Sequence, residues 1–200
     1  MIPVDRGRLV EPAGFETMCR MPGNAWLAAH PDALRPRDYW SGFKSQLADG
    51  FGGLCAYSAM SLPVGTVDHF VSFNEDRGLA YEWSNFRYAA GWINSSKKSV
   101  RAEEILDPLL VDSGWFQILL PSLQLVATNR IPVGMRGKAE DTLRRLHLTD
   151  DERIVRQRLA WFKLWDDGEL TIDGLRRMAP LIAEAITSSG RLPSTSRGGP

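Results

Sequence analysis

The chain has 200 residues, of which 44% are hydrophobic, so it is long enough to bury one compact core. It has 24 basic and 24 acidic residues, and a net charge of +0 argues against tight non-specific binding to nucleic acid by charge alone. No apolar run is long enough to span a bilayer, and no signal-peptide pattern precedes the first residues, so we expect a soluble, cytoplasmic protein with no membrane partner.

Prolines interrupt the first part of the sequence. Because proline breaks helices and strands internally, residues 1–36 are predicted to form an extended arm with a helical turn near residues 25–29. The next segment has apolar residues at helical spacing, followed by Gly50 as a stop signal, so it is predicted to be a helix. These apolar residues are Tyr39, Trp40, Phe43 and Leu47.

The middle of the sequence alternates glycine-rich and apolar stretches. GFGGLCAYSAM, which begins at Gly50, predicts a turn leading into a short strand, with residues 66–70 as its partner strand. Asn85 stands where a loop pattern changes to an apolar strand pattern. Residues 91–98 are predicted to form a short helix that contains Asn94.

The last third is predicted to be a hairpin followed by helices. WFQILLPSLQLVA reads as two apolar strands joined at Pro121 and Ser122. A helix is predicted over residues 136–148, and a capping-box pattern at residues 149–152 opens a stronger one that ends at Gly168.

The sequence ends with a capped helix and a polar tail. Thr171 is a candidate cap for a final helix, which Pro180 would bend or restart. Residues 188–200 have the composition of a disordered segment.

Asp68 and His69 are adjacent on a predicted strand. Neighbouring strand residues point to opposite faces, so the two side chains would serve different roles around one site rather than pair with each other. Taken singly, His69 suits an ordinary half-buried histidine, Asn85 a turn residue and Asn94 a helix-end cap. Together they supply what phosphodiester hydrolysis needs: a metal ligand, a base for water, and a group that orients the base.

Three motifs carry a family resemblance: VDHF at residues 67–70, AYEWSNFR at residues 80–87 and NSSKK at residues 94–98. Over about residues 50–110 the sequence resembles the HNH endonucleases, which have a ββα-metal core. It is most similar to a subfamily that includes stand-alone bacterial nucleases and the HNH subunit of Septu-type and retron-associated anti-phage systems. The resemblance implies an α+β fold and a metal-dependent endonuclease that hydrolyses phosphodiester bonds of DNA, with anti-phage defence as one setting.

The resemblance also implies roles for individual residues. Asp68 and Asn94 would ligate the metal, His69 would be the general base, and Asn85 would orient His69 through its side-chain amide. The candidates for phosphate contact are Lys97, Lys98 and Arg87, although a solvated helix end explains the two lysines equally well.

The sequence departs from the family pattern at the zinc knuckle that many relatives have. Only Cys55 remains where two CxxC pairs would stand, and one thiolate cannot hold structural zinc. We therefore expect no structural zinc, a reduced Cys19 and Cys55, and a core held by apolar packing. The residues expected to replace the knuckle are Phe51, Leu54, Tyr57, Trp92 and Ile93. Oxygen donors from an aspartate and an asparagine predict one Mg²⁺ or Mn²⁺ ion.

Two features leave other functions open. The loop after His69 contains Glu75 and Asp76, which add negative charge near the expected DNA path. The alternatives are a regulated nuclease subunit that needs an ATPase partner, and a decayed nuclease that acts as a binding module. The predicted organisation is an arm (1–36), an HNH core (37–112), a hairpin with a helical subdomain (113–187) and the disordered tail (188–200).

Overall fold

A computed structural model describes residues 1–97 and 100–194 and has an α+β fold. In chain order the helices are α1 (Met21–Ala29), α2 (Lys44–Gly50), α3 (Gly91–Lys97), α4 (Val133–Arg145), α5 (Glu152–Asp166), α6 (Ile172–Met178) and α7 (Pro180–Ser189). The strands are β1 (Thr66–His69), β2 (Phe86–Ala89), β3 (Phe116–Leu119) and β4 (Gln124–Ala127). No helix within the described ranges is long and apolar enough to cross a membrane.

The first strand pair lies at the centre of the predicted nuclease region. Strands β1 and β2 are antiparallel, with Asp68 opposite Arg87 and His69 opposite Phe86. Helix α3 begins one residue after Ala90, so two strands and a helix follow one another in the order ββα. The predicted pairing of β1 with the stretch after Gly50 is wrong. That stretch forms turns with one isolated bridge, because its glycines take left-handed backbone conformations unsuited to a strand.

The N-terminal region is helical rather than an extended arm. A wide helical turn at Glu16–Arg20 continues directly into α1, so the two form one longer helical segment. Pro22 lies where the wide turn changes to α1, in the first turn of the α-helix, a position that tolerates proline. Phe15 and Cys19 are completely buried, which shows that this region packs into the core.

Phe15 anchors a cluster of aromatic rings behind β2. Its ring centroid lies 5.1 Å from that of Phe43, 5.3 Å from Trp83 and 5.9 Å from Phe86, each in an edge-to-face arrangement. Burial of such a ring contributes about 1.5–3 kcal/mol, and edge-to-face pairs add to it. The expected packing in place of a zinc knuckle is present in part. Phe51, Tyr57 and Ile93 are buried and Trp92 packs against the core, whereas Leu54 lies outside the apolar cluster.

The C-terminal part follows the predicted order of elements. Strands β3 and β4 form an antiparallel hairpin, and α7 and α4 contact β3 and β4 respectively. Asp151, rather than Thr149, caps α5 by accepting a hydrogen bond from the Arg153 amide. Thr171 caps α6 as predicted.

The chain restarts as α7 at Pro180. Residues 188–189 of the predicted tail end this helix, and Ser194 donates to Asp166 through its amide and its hydroxyl. Residues 195–200 of that tail lie outside the described part of the chain.

One apolar cluster contains residues from Met1 to Ile186, drawn from the predicted arm, the predicted core and the C-terminal part. Arg158, in α5, is a buried residue that hydrogen-bonds to two other segments of the chain. It is 1% exposed and donates to the carbonyl oxygens of Leu123, Leu148 and Thr149 at 3.0, 2.5 and 2.9 Å. Helix α5 is therefore hydrogen-bonded to the β3–β4 turn and to the segment between α4 and α5.

Both thiols are expected to be unreactive in the folded protein. Cys19 and Cys55 are buried, and desolvation raises the pKa of the Cys19 thiol to about 12, which keeps it protonated at neutral pH. With a disulfide reagent at pH 8, the native protein should release no chromophore on the time scale on which free cysteine reacts. Both thiols should react after unfolding in guanidinium. Fast reaction of the folded Cys55→Ser variant would contradict this assignment for Cys19.

Candidate functional site

A cavity of about 510 Å³ brings together four residues selected from the sequence: Asp68, His69, Asn94 and Lys97. Asp68 and His69 come from the end of β1, while Asn94 and Lys97 come from successive turns of α3. The remaining lining residues are Leu34, Arg35, Pro36, Trp40, Ser72, Phe73, Asn74 and Ser95. The ββα arrangement thus places a carboxylate, an imidazole, an amide and an ammonium around one space.

His69 is oriented by a main-chain carbonyl. Its Nε2 lies 2.8 Å from the Ala80 oxygen, and because a carbonyl only accepts, Nε2 must carry the proton. Nδ1 is then the nitrogen with a free lone pair. Trp40 and Phe86 pack edge-on against the ring at centroid distances of 4.7 and 5.0 Å. Desolvation lowers the pKa of His69 below its ordinary 6.5, so the imidazole is neutral at pH 7 and able to accept a proton.

Asp68 is held on both of its oxygens. It is 2% exposed, and its Oδ2 accepts a 2.6 Å hydrogen bond from the Tyr57 hydroxyl. Desolvation, together with the nearby Asp68 charge, raises the pKa of Tyr57 well above 10, so the hydroxyl remains a donor. Oδ1 lies 3.2 Å from the Lys97 ammonium, which forms a buried ion pair with the carboxylate.

Lys97 has internal partners instead of the solvent exposure expected of a phosphate contact. It is 4% exposed and donates to the carbonyl oxygens of His69 and Phe70 at 2.6 and 2.9 Å, besides pairing with Asp68. All three of its donor positions are used in this way. The position of Lys97 therefore corrects the expectation of a free cation at a helix end. Lys98, the other lysine predicted to contact phosphate, lies outside the described residues.

Asn94 lines the cavity and has a fixed side-chain amide. Its Nδ2 donates to the Val67 carbonyl at 3.2 Å and to Thr66 Oγ1 at 3.3 Å, which fixes the orientation of the amide. Within the described part of the chain, Oδ1 has no hydrogen-bond partner. Asp68 and Asn94 thus present hard oxygen donors, the type that Mg²⁺ and Mn²⁺ prefer. The donor set fits such an ion, although it would share the Asp68 carboxylate with Lys97. Across residues 1–97 and 100–194, no group of three His, Cys, Asp or Glu side chains forms a metal cluster.

Asn85 does not bond to the His69 ring, contrary to the expected orienting role. Its Oδ1 accepts from the Val71 amide at 2.8 Å, and its Nδ2 donates to the carbonyls of Val71 and Leu79 at 3.0 Å each. These three bonds close the loop between β1 and β2 at a point next to Ala80. Asn85 therefore positions the loop, and the loop supplies the carbonyl that orients His69.

Arg87 lies outside the cavity and has a different role from the phosphate contact that was expected. It is 3% exposed and forms a bidentate ion pair with Asp107 at 2.8 and 2.7 Å. It also donates to the carbonyls of Ser84 and Phe86, and it lines a second cavity of about 390 Å³. All three guanidinium nitrogens of Arg87 have partners, and the pair with Asp107 links β2 to the segment after α3.

The acidic residues of the loop have structural partners. Glu75 accepts from Ser72 through one oxygen and from the Ala102 amide, at 2.8 Å, through the other. Asp76 accepts from the Gly78 amide. Neither residue lines the cavity, so their charges lie beside the candidate site rather than within it.

Several site residues escaped the sequence analysis. Tyr57 and the Ala80 carbonyl stand 11 and 12 positions from Asp68 along the chain. Tyr57 was expected only to pack in the core, and Ala80 opens the AYEWSNFR motif but was given no role of its own. Arg35 and Trp40 come from the region that was expected to be an arm and a helix start. No local spacing pattern marks these residues, because tertiary packing alone brings them to the cavity.

Comparisons of the chain with protein-family models, with curated proteins and with solved structures found no significant match.

Proposed function

We propose that the chain is a metal-dependent HNH endonuclease with a ββα-metal core that hydrolyses phosphodiester bonds of DNA. The observation that supports this most directly is His69, a neutral imidazole with a free Nδ1, held in one cavity with Asp68 and Asn94. General-base catalysis requires this protonation state, and the two oxygen donors supply a place for a divalent cation.

In this mechanism His69 Nδ1 accepts a proton from the water that attacks phosphorus, while Nε2 stays bonded to the Ala80 carbonyl. That bond stabilises the imidazolium as it forms, because a carbonyl oxygen faces the protonated ring. Trp40 and Phe86 pack against the ring and hold its plane. The histidine therefore needs little reorganisation during proton transfer.

Asp68 and Asn94 are the residues that would hold a Mg²⁺ or Mn²⁺ ion. When bound, such an ion stabilises negative charge on the phosphate and on the leaving oxygen. Tyr57 keeps the Asp68 carboxylate in place, and the Val67 carbonyl keeps the Asn94 amide in place. These contacts pre-organise the two oxygen donors.

DNA as the substrate, anti-phage defence as the setting and an ATPase as a partner all come from the family resemblance, and we propose them on that ground. The direct test incubates the purified protein with supercoiled plasmid and Mg²⁺ or Mn²⁺. We expect nicked circles that accumulate with time and that disappear when EDTA is added first. If the plasmid stays intact both with Mg²⁺ and with Mn²⁺, the proposal is contradicted for the chain on its own.

A second candidate function is a decayed nuclease that binds nucleic acid or protein without a metal. The buried ion pair between Lys97 and Asp68 favours it, because the ammonium already neutralises the carboxylate that would ligate the metal. The two candidates differ in metal affinity, which can be measured without any cleavage assay.

Removal of the Asn94 side chain is expected to weaken Mn²⁺ binding by about tenfold or more, since one of two protein ligands is lost. Calorimetric titration of the wild type and of Asn94→Ala measures this. Ser95→Ala is the matched control, because Ser95 lines the same cavity but its hydroxyl bonds to the Gly91 carbonyl. Equal affinities for all three proteins, or no Mn²⁺ binding at all, would favour the binding module.

A further inference from the structure

The cavity beside His69 contains one charge without a partner, and it belongs to Arg35. Among the other charged lining residues, Asp68 and Lys97 neutralise each other as an ion pair. Arg35 is exposed and makes no hydrogen bond or ion pair with any residue in the described ranges. The lining of the cavity therefore has a formal charge of about +1, which suits one phosphodiester group.

The backbone on both sides of Arg35 is fixed to the loop that orients His69. Arg77 donates to the carbonyls of Ala33 and His30 at 2.9 and 3.2 Å, and its guanidinium stacks 4.5 Å from the Phe73 ring centroid. On the other side, the Tyr81 hydroxyl donates to the Arg37 carbonyl at 2.8 Å. Arg77 and Tyr81 flank Ala80 in the β1–β2 connection, so the same segment positions Arg35 and the base.

We propose that Arg35 binds a backbone phosphate of the DNA strand whose scissile bond lies at His69. This inference rests on the proposed function. A guanidinium on a fixed backbone can offer two parallel donors to phosphate oxygens, a geometry that an ammonium does not match. Such a contact sets the position of the strand and carries no sequence information. Arg35 thereby takes the role that the sequence suggested for Lys97 and Arg87, both of which have internal partners.

The test measures DNA affinity by fluorescence anisotropy, with a short labelled duplex in EDTA so that no cleavage occurs. Arg35→Gln should raise Kd by about tenfold near 0.1 M salt, and it should reduce the slope of log affinity against log salt by about 1. Arg37→Gln is the matched control. It removes the same charge two residues away, from a guanidinium that lies 5.4 Å from the Tyr39 ring centroid and does not line the cavity.

We expect Arg37→Gln to change Kd by less than about twofold, since the Arg37 guanidinium does not line the cavity and makes no phosphate contact there. Equal effects of the two substitutions, or wild-type affinity in Arg35→Gln, would overturn the inference, as would a wild-type protein that does not bind the duplex. The inference and the proposed function fail in distinguishable ways. Arg35-dependent binding without nicking refutes only the nuclease, whereas His69-dependent nicking with unaltered binding in Arg35→Gln refutes only the role of Arg35.

Discussion

Replacement of His69 with alanine is expected to slow nicking of supercoiled plasmid by about 10²- to 10⁴-fold, the usual contribution of a positioned general base. The physical reason is that Nδ1 is the free proton acceptor in the cavity while Nε2 is bonded to the Ala80 carbonyl. Duplex affinity should change little, because the neutral ring carries no charge toward phosphate. The initial rate of nicked-circle formation in Mg²⁺ or Mn²⁺ gives the rate ratio.

The matched control for this experiment is His147→Asn. His147 is exposed, lies outside the cavity and has a backbone φ of 53°, a conformation that asparagine tolerates well. The His147→Asn variant should nick plasmid at the same rate as the wild type. Equal nicking by the wild type and His69→Ala would remove His69 from the mechanism, provided that circular dichroism shows the same fold for both proteins.

The Lys97→Met variant is expected to lose about 3–5 kcal/mol of unfolding free energy, the range found when one member of a buried ion pair is removed. Methionine fills a similar volume but leaves the buried Asp68 carboxylate without an ion-pair partner among the described residues, although the Tyr57 hydroxyl still donates to it. The carbonyl oxygens of His69 and Phe70 also lose their donor. Denaturant titration followed by tryptophan fluorescence measures the difference.

The double variant Asp68→Asn with Lys97→Met separates charge from packing. Without a carboxylate there is no buried charge to compensate, so the double variant should be more stable than Lys97→Met alone. Mn²⁺ should raise the melting temperature of Lys97→Met more than that of the wild type, because no ammonium competes for Asp68. A double variant no more stable than the single one would show that the ion pair has no such role.

The sequence predicted the elements whose signals are local. The β3–β4 hairpin, the strand after Asn85, the helix that contains Asn94 and the cap at Thr171 all follow from turn residues, hydrophobic periodicity or capping chemistry. The partner of β1 was predicted wrongly, since strand pairing depends on tertiary contacts between residues far apart in the sequence, and a short stretch of sequence does not show these. The helical segment before residue 30 was predicted only as a turn near residues 25–29, because Pro22 was treated as a breaker although it lies in the first turn of α1.

The candidate site shows the same division between local and tertiary information. Asp68, His69, Asn94 and Lys97 were selected through the resemblance to the HNH endonucleases, and they do line one cavity. The motifs could not show which charged side chains pair with each other in the folded protein. Lys97 is the buried partner of Asp68, and Arg35, from the predicted N-terminal arm, supplies the unpaired charge. Such pairings depend on the distances between elements after folding.

The bond from His69 to the Ala80 carbonyl has a consequence for mutational scanning. Every amino acid carries the same main-chain oxygen, so any side chain small enough for this buried position preserves the orientation of the imidazole. A substitution profile of residue 80 would therefore report steric fit and overlook its contribution to the site. The sensitive position lies elsewhere, at Asn85, whose amide holds the backbone at Val71 and Leu79. A scan would record Asn85 as intolerant to change although it does not touch the imidazole.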